Sequence, residues 1–136
     1  MAEPKAKRIL VVDDEAALCA VLKTRLETFG YSVSTAGDGR EALTKILSDP
    51  PDLILLDIQM PEEDGYTFLR KLRSYHDHDN LAREKKIRQL PVIVITGRGE
   101  GMKGLFEQEQ VSAYVTKPID SAVIKKLLEE ALSRSV

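Results

Sequence analysis

The chain is poor in the residues that staple small or secreted folds. A single cysteine, Cys19, leaves no disulfide to close within it, which fits a reducing cytoplasm. With two histidines, His76 and His78, beside that one thiol, a Cys and His zinc set cannot be assembled. Long apolar runs are missing too. The basic N-terminal stretch "KAKR" leads into only four apolar residues, "ILVV", before Asp13 and Asp14, too few for a signal-peptide core or a membrane span. Nor does either charge dominate: a net charge of −2 at a charged fraction of 31% offers no global basic surface for nucleic acid or an anionic membrane. What is there, 136 residues with a hydrophobic fraction of 43%, suffices for one core and is too short for a second domain of ordinary size. The expectation is a single domain over 1–136, cored over about residues 7–134 and with no room for a further one, that neither binds nucleic acid directly nor inserts into a membrane.

Five runs rich in Val, Ile, Leu or Thr read as strands: "RILVV" from Arg8, "YSVSTA" from Tyr31, "DLILLD" from Asp52, "PVIVIT" from Pro91 and "SAYVTK" from Ser112. Helical spacing falls between them. Leu18, Val21, Leu22, Leu26 and Phe29 share one face; Ala42, Leu43, Ile46 and Leu47 another; Tyr66, Leu69 and Leu72 a third. A weaker helical pattern runs from Glu100 to Gln110, and a strong one, with Val123, Ile124, Leu127, Leu128, Ala131 and Leu132 on one face, follows a cap at Asp120. Alternating strand and helix imply right-handed crossovers and an α/β fold with a doubly wound parallel sheet. The half-polar "YSVSTA" belongs at an edge, which suits the order 2-1-3-4-5.

In that order the ligand crevice lies beyond the carboxyl ends of the first and third strands. Asp13, Asp14 and Asp57 stand at those ends. Three carboxylates so placed repel one another, and a divalent cation relieves the repulsion; magnesium, which favours carboxylates and phosphate oxygens, fits best. Thr96 and Lys117 at the ends of the last two strands add a hydroxyl and a cation. This set suits phosphoryl transfer, with Asp57, behind the most apolar strand, as the nucleophile.

The motifs "VVDDE" at Val11, "LLDIQMPEEDG" at Leu55, "VITG" at Val94 and "YVTKP" at Tyr114 resemble, in order and position, the receiver domain of two-component response regulators. The resemblance covers nearly the whole chain and implies the five-stranded, flavodoxin-like receiver fold. It implies further that Asp57 accepts a phosphoryl group from a histidine kinase or histidine phosphotransfer protein, and that Asp13, Asp14, Asp57 and the Gln59 carbonyl hold Mg2+. Lys117 would then contact the phosphate, Thr96 would bond a phosphate oxygen, and Tyr114 would turn inward behind it, changing the surface of strands 4 and 5 toward an effector protein. Gln59 and Arg98 match positions that tune phosphoryl lifetime in the family. Such a module acts on itself rather than on an external substrate. A magnesium phosphatase is the alternative enzyme reading, disfavoured because Gln59 stands where a second acid is common; a receiver used only as a docking scaffold is the non-catalytic one.

Three departures stand out. The link "SYHDHDNLAREKKIRQL", Ser74 to Leu90, is several residues longer than the family's and could extend a helix or form a partner-binding loop. "QVSA" replaces the usual "GAD" before the fifth strand, and the small Gly97 after Thr96 should leave the phosphate open to water. Elsewhere bland readings prevail. The histidines of "HDHD" point apart on a helix, "GEGMKG" is a weak glycine match in the wrong unit, "REKKIR" reads as a solvated helix face with a partner patch as the alternative, and Cys19 is a small buried residue.

Overall fold

The computed structural model describes residues 6–57, 65–96 and 111–134. In chain order these form β1 (Arg8–Val12), α1 (Ala16–Thr28), β2 (Ser32–Ala36), α2 (Gly39–Ser48), β3 (Leu53–Asp57), α3 (Gly65–Arg73), α4 (Leu81–Arg88), β4 (Val92–Thr96), β5 (Ala113–Thr116) and α5 (Ser121–Arg134). All strand pairs are parallel and the sheet order is β2-β1-β3-β4-β5, as the edge character of "YSVSTA" predicts.

Side chains alternate across the sheet, so each central strand feeds two cores. Leu10, Val12, Ile54, Leu56, Val92 and Val94 face α2, α3 and α4. Their neighbours Ile9, Val11, Leu53, Leu55, Ile93 and Ile95 face α1 and α5. The four apolar residues of β3 are completely buried. At roughly 1.5–3 kcal/mol for each such side chain, they outweigh the cost of the carboxylate that ends the strand.

The helix boundaries follow local chemistry. Asp38 accepts from the Glu41 amide at the start of α2, and Asp120 accepts from the amides of Ala122 and Val123 at the start of α5, as its sequence position predicts. After α1 the chain reverses through Gly30 at φ 96°, a conformation that side chains resist, while Tyr31 N–H donates to the Leu26 carbonyl. The apolar stripes are narrower than the spacing suggests. Val21 is 50% exposed, with Cys19 buried instead, and Val123 is also about half exposed.

The largest addition to the expected alternation lies between β3 and β4. Rather than extending α3, the Ser74–Leu90 link reverses and forms a separate helix, α4, capped by Asn80 accepting from the Arg83 amide. The expected weak helix from Glu100 to Gln110 lies outside the described residues.

Candidate functional site

The register of the central strands assembles the site. Val12 lies opposite Leu56, so one further step along each strand brings Asp13 and Asp57 to the same level. Beyond Val12 the chain turns: Asp13 N–H donates to the Ala36 carbonyl, and the Asp13 side chain accepts from the Glu15 amide at 2.9 Å. On the other side β4 ends at Thr96, opposite Thr116, and the Lys117 amide donates to the Thr96 carbonyl at 2.7 Å. That bond anchors Lys117 beside the carboxylates. The peptide linking it to Pro118 is cis.

Asp13, Asp14 and Asp57 each offer a carboxylate oxygen, all within 4.8 Å of one another. Asp13 and Asp57 are each only 2% exposed, whereas Asp14 faces solvent. The Lys117 ammonium stands 3.4 Å from Asp57 Oδ2 and 3.7 Å from Asp13 Oδ2. Burial, reinforced by the facing charge of Asp57, pushes the Asp13 carboxyl up to about 6 against the opposing pull of the Glu15 amide and Lys117. Burial alone would pull the Lys117 ammonium down, but the charges of Asp57 and Asp13 outweigh it and hold its pKa above the ordinary value. Clustered hard oxygen donors of this kind, two of them shielded and one open to solvent, fit a small divalent cation such as magnesium.

Of the other residues singled out in the sequence, Thr96 is completely buried at the head of β4. Tyr114 is half-buried on β5 and packs against the core face that contains Val94. Gln59 and Arg98 lie outside the described residues, as do Gly97 and the "GEGMKG" stretch. Thus the sequence-chosen Asp13, Asp14, Asp57 and Lys117 converge, with Thr96 at the end of the adjoining strand.

Two partners were not legible beforehand. Cys19 is buried, as read, yet its thiol also donates to the Asp13 carbonyl at 3.3 Å, tying α1 to the acidic turn. Burial, with the charge of Asp13 next, raises that thiol to about 11. In "HDHD" the structural residue is Asp77 rather than either histidine: it is buried, pairs with Arg83, and accepts from the Tyr75 hydroxyl and the amides of Asp79 and Asn80. The spacing of Asp77 three residues before the Asn80 cap is the signal that could have found it.

A separate cavity of about 200 Å³ at the β2 edge is lined by residues including Arg8, Ser34, Lys45 and Ser48. Its cations are already engaged, Arg8 by Asp49 and Lys45 by Glu41 and the Thr35 carbonyl.

Comparison with known proteins agrees with this architecture. Response regulator PleD of Caulobacter vibrioides is 42% identical over 120 residues, spanning 86% of this chain and 24% of PleD. The alkaline phosphatase synthesis transcriptional regulatory protein PhoP of Bacillus subtilis is 35% identical over 130 residues, 95% of this chain and 50% of PhoP. The chain therefore spans about a quarter to a half of the length of these relatives. Among solved structures, the Vibrio cholerae chemotaxis protein CheY4 superimposes with a TM-score of 0.80 at 26% identity, covering 93% of this chain and 98% of that one. The family pattern of the response regulator receiver domain matches residues 9–129, and with the sheet order and the carboxylate crevice this establishes that the chain belongs to that family.

Proposed function

We propose that this chain is a magnesium-dependent phosphoryl acceptor whose aspartyl phosphate alters the β4–β5 surface toward a protein effector. The observation that carries the reading is the convergence of the Asp13, Asp14 and Asp57 oxygens within 4.8 Å, with the Lys117 ammonium 3.4 Å from Asp57. Response regulators receive their signals from histidine kinases, so the donor is a phosphohistidine on a kinase or phosphotransfer protein. A carboxylate oxygen of Asp57 attacks phosphorus, the bond from phosphorus to the imidazole nitrogen breaks, and its electron pair returns to the ring. Hydrolysis later regenerates the carboxylate.

Asp13, Asp14 and Asp57, together with the Gln59 carbonyl, would hold magnesium, which when bound offsets the negative charge of carboxylates and phosphate alike. Lys117, fixed through its backbone bond to Thr96, supplies a second positive charge to the incoming phosphoryl group. The Thr96 hydroxyl would bond a phosphate oxygen, and Tyr114, two residues before the β5 partner of Thr96, would follow it inward. Arg98 and Gln59 border the same crevice in sequence and would set how quickly water reaches the phosphate. Because the chemistry is confined to the protein's own side chain, no separate substrate is required.

The experiment is the intact mass after incubation with acetyl phosphate and magnesium. One labile phosphoryl adduct is expected on wild type and none on Asp57→Asn. No adduct on wild type, together with no magnesium-dependent binding of a fluoride mimic of phosphate in a separate titration, would sink the reading in favour of a docking scaffold.

A further inference from the structure

The α3–α4 hairpin is more firmly held than its apolar contacts alone explain. Helix α4 has eight residues and contributes one buried side chain, Ile87, too little for a helix of that length to persist by itself. Polar bonds supply the rest. Asp77 gathers Tyr75, Arg83 and the turn amides. Glu84 accepts from the Asp77 amide at 2.9 Å and stands 3.3 Å from His76. Arg88 donates to the Tyr75 carbonyl, and Arg73 donates to the carbonyls of Arg88 and Leu90, tying α3 to the start of β4.

The outward face of α4 serves none of this. It presents Leu81, Ala82, Lys85 and Lys86, all exposed, and Leu81 at 74% is the most exposed large apolar side chain among the described residues. Leu81 is the first residue after the Asn80 cap, where a leucine adds nothing to helix capping. Neither Lys85 nor Lys86 has an ion-pair partner among the described residues. Residues 65–90 carry seven Lys and Arg against three Asp and Glu, within a chain whose net charge is −2, and of the seven Lys85 and Lys86 lie on this face while Arg73, Arg83 and Arg88 serve the network.

We infer that the outer face of α4 is a preorganised docking surface for a partner protein with an acidic rim beside an apolar pocket. The pocket would receive Leu81 and Ala82, and carboxylates would meet Lys85 and Lys86, about 6 Å further along the helix axis. A phosphate backbone fits less well, because the exposed Asp79 would repel it at the Leu81 end and the leucine would go unused. Holding the helix in place before binding lowers the ordering cost of association. The inference does not depend on phosphoryl transfer at Asp57.

The test places a benzophenone amino acid at position 81 of the whole chain in its native cells, with the same probe at Ala20 as control. After illumination, the expected result is an adduct specific to position 81, mapping to a partner segment with carboxylates next to apolar residues. It should fall about tenfold or more when Lys85→Glu and Lys86→Glu are combined. Unchanged thermal unfolding of that double variant excludes misfolding as the reason, and Lys85→Arg with Lys86→Arg should keep the adduct. The inference is overturned by no specific adduct, by an adduct indifferent to charge reversal, or by one to nucleic acid, lipid or a second copy of this chain.

Discussion

Asp13 gives the site a pH signature. An acid whose folded pKa is raised binds its proton more readily in the folded state, so its contribution to stability is fully present below the ordinary value of 3.8 and is lost as pH rises through about 6. The shift corresponds to on the order of 3 kcal/mol. In chelator, wild type is therefore expected to lose stability to urea relative to Asp13→Asn between about pH 4 and pH 7. Parallel curves would show that Asp13 titrates normally. Asp77 runs the opposite way: hydrogen bonds from Arg83 and Tyr75 hold its carboxyl below the usual range, so its contribution is present above that range and lost as pH falls through the folded pKa. The same electrostatics govern Asp57→Asn. Removing a charge that faces Asp13 should leave the metal-free protein at least as stable, by about 1 kcal/mol in urea titration, while removing the proposed phosphoryl acceptor.

At the scale of elements, α4 has one apolar anchor and one cap beside its polar bonds. Ile87→Ala is expected to cost about 3 kcal/mol, and Asn80→Ala about 1 kcal/mol, both read from denaturant midpoints. Asp77→Ala should instead speed hydrogen exchange at the amides of Asp79 and Asn80, with the β1 and β3 amides unchanged. The three central strands were legible to within a residue because burial on both faces demands unbroken apolar runs, and those runs end where Asp13, Asp57 and Thr96 begin the crevice. Helix α4 was not, since its sequence is mostly charged and its stability comes from Asp77, Glu84 and Arg88 rather than from a periodic apolar face. Val21 and Val123 misled for a related reason: spacing identifies a face, but only packing fixes how wide the covered part is.

For the molecule as a whole, the two cores lock the sheet while its carboxyl edge keeps like charges close together, so a cation bound there would be coupled to folding. Magnesium at about a hundred times its dissociation constant should raise stability by about 2.7 kcal/mol, and Asp13→Asn combined with Asp14→Asn should abolish that gain in a thermal melt. The sole cysteine supplies a second way to read the coupling. With its thiol hydrogen-bonded to the Asp13 carbonyl and its ionisation pushed up to about 11, Cys19 is expected to react slowly while the acidic turn stays closed. An excursion that freed the turn from α1 would expose one nucleophile, and an alkylating reagent in excess would write it into the chain as a permanent, countable mark. Alkylation of the sulfur is thereby expected to time any breathing of the crevice, and a bound ion or phosphoryl group is expected to lengthen the interval between marks.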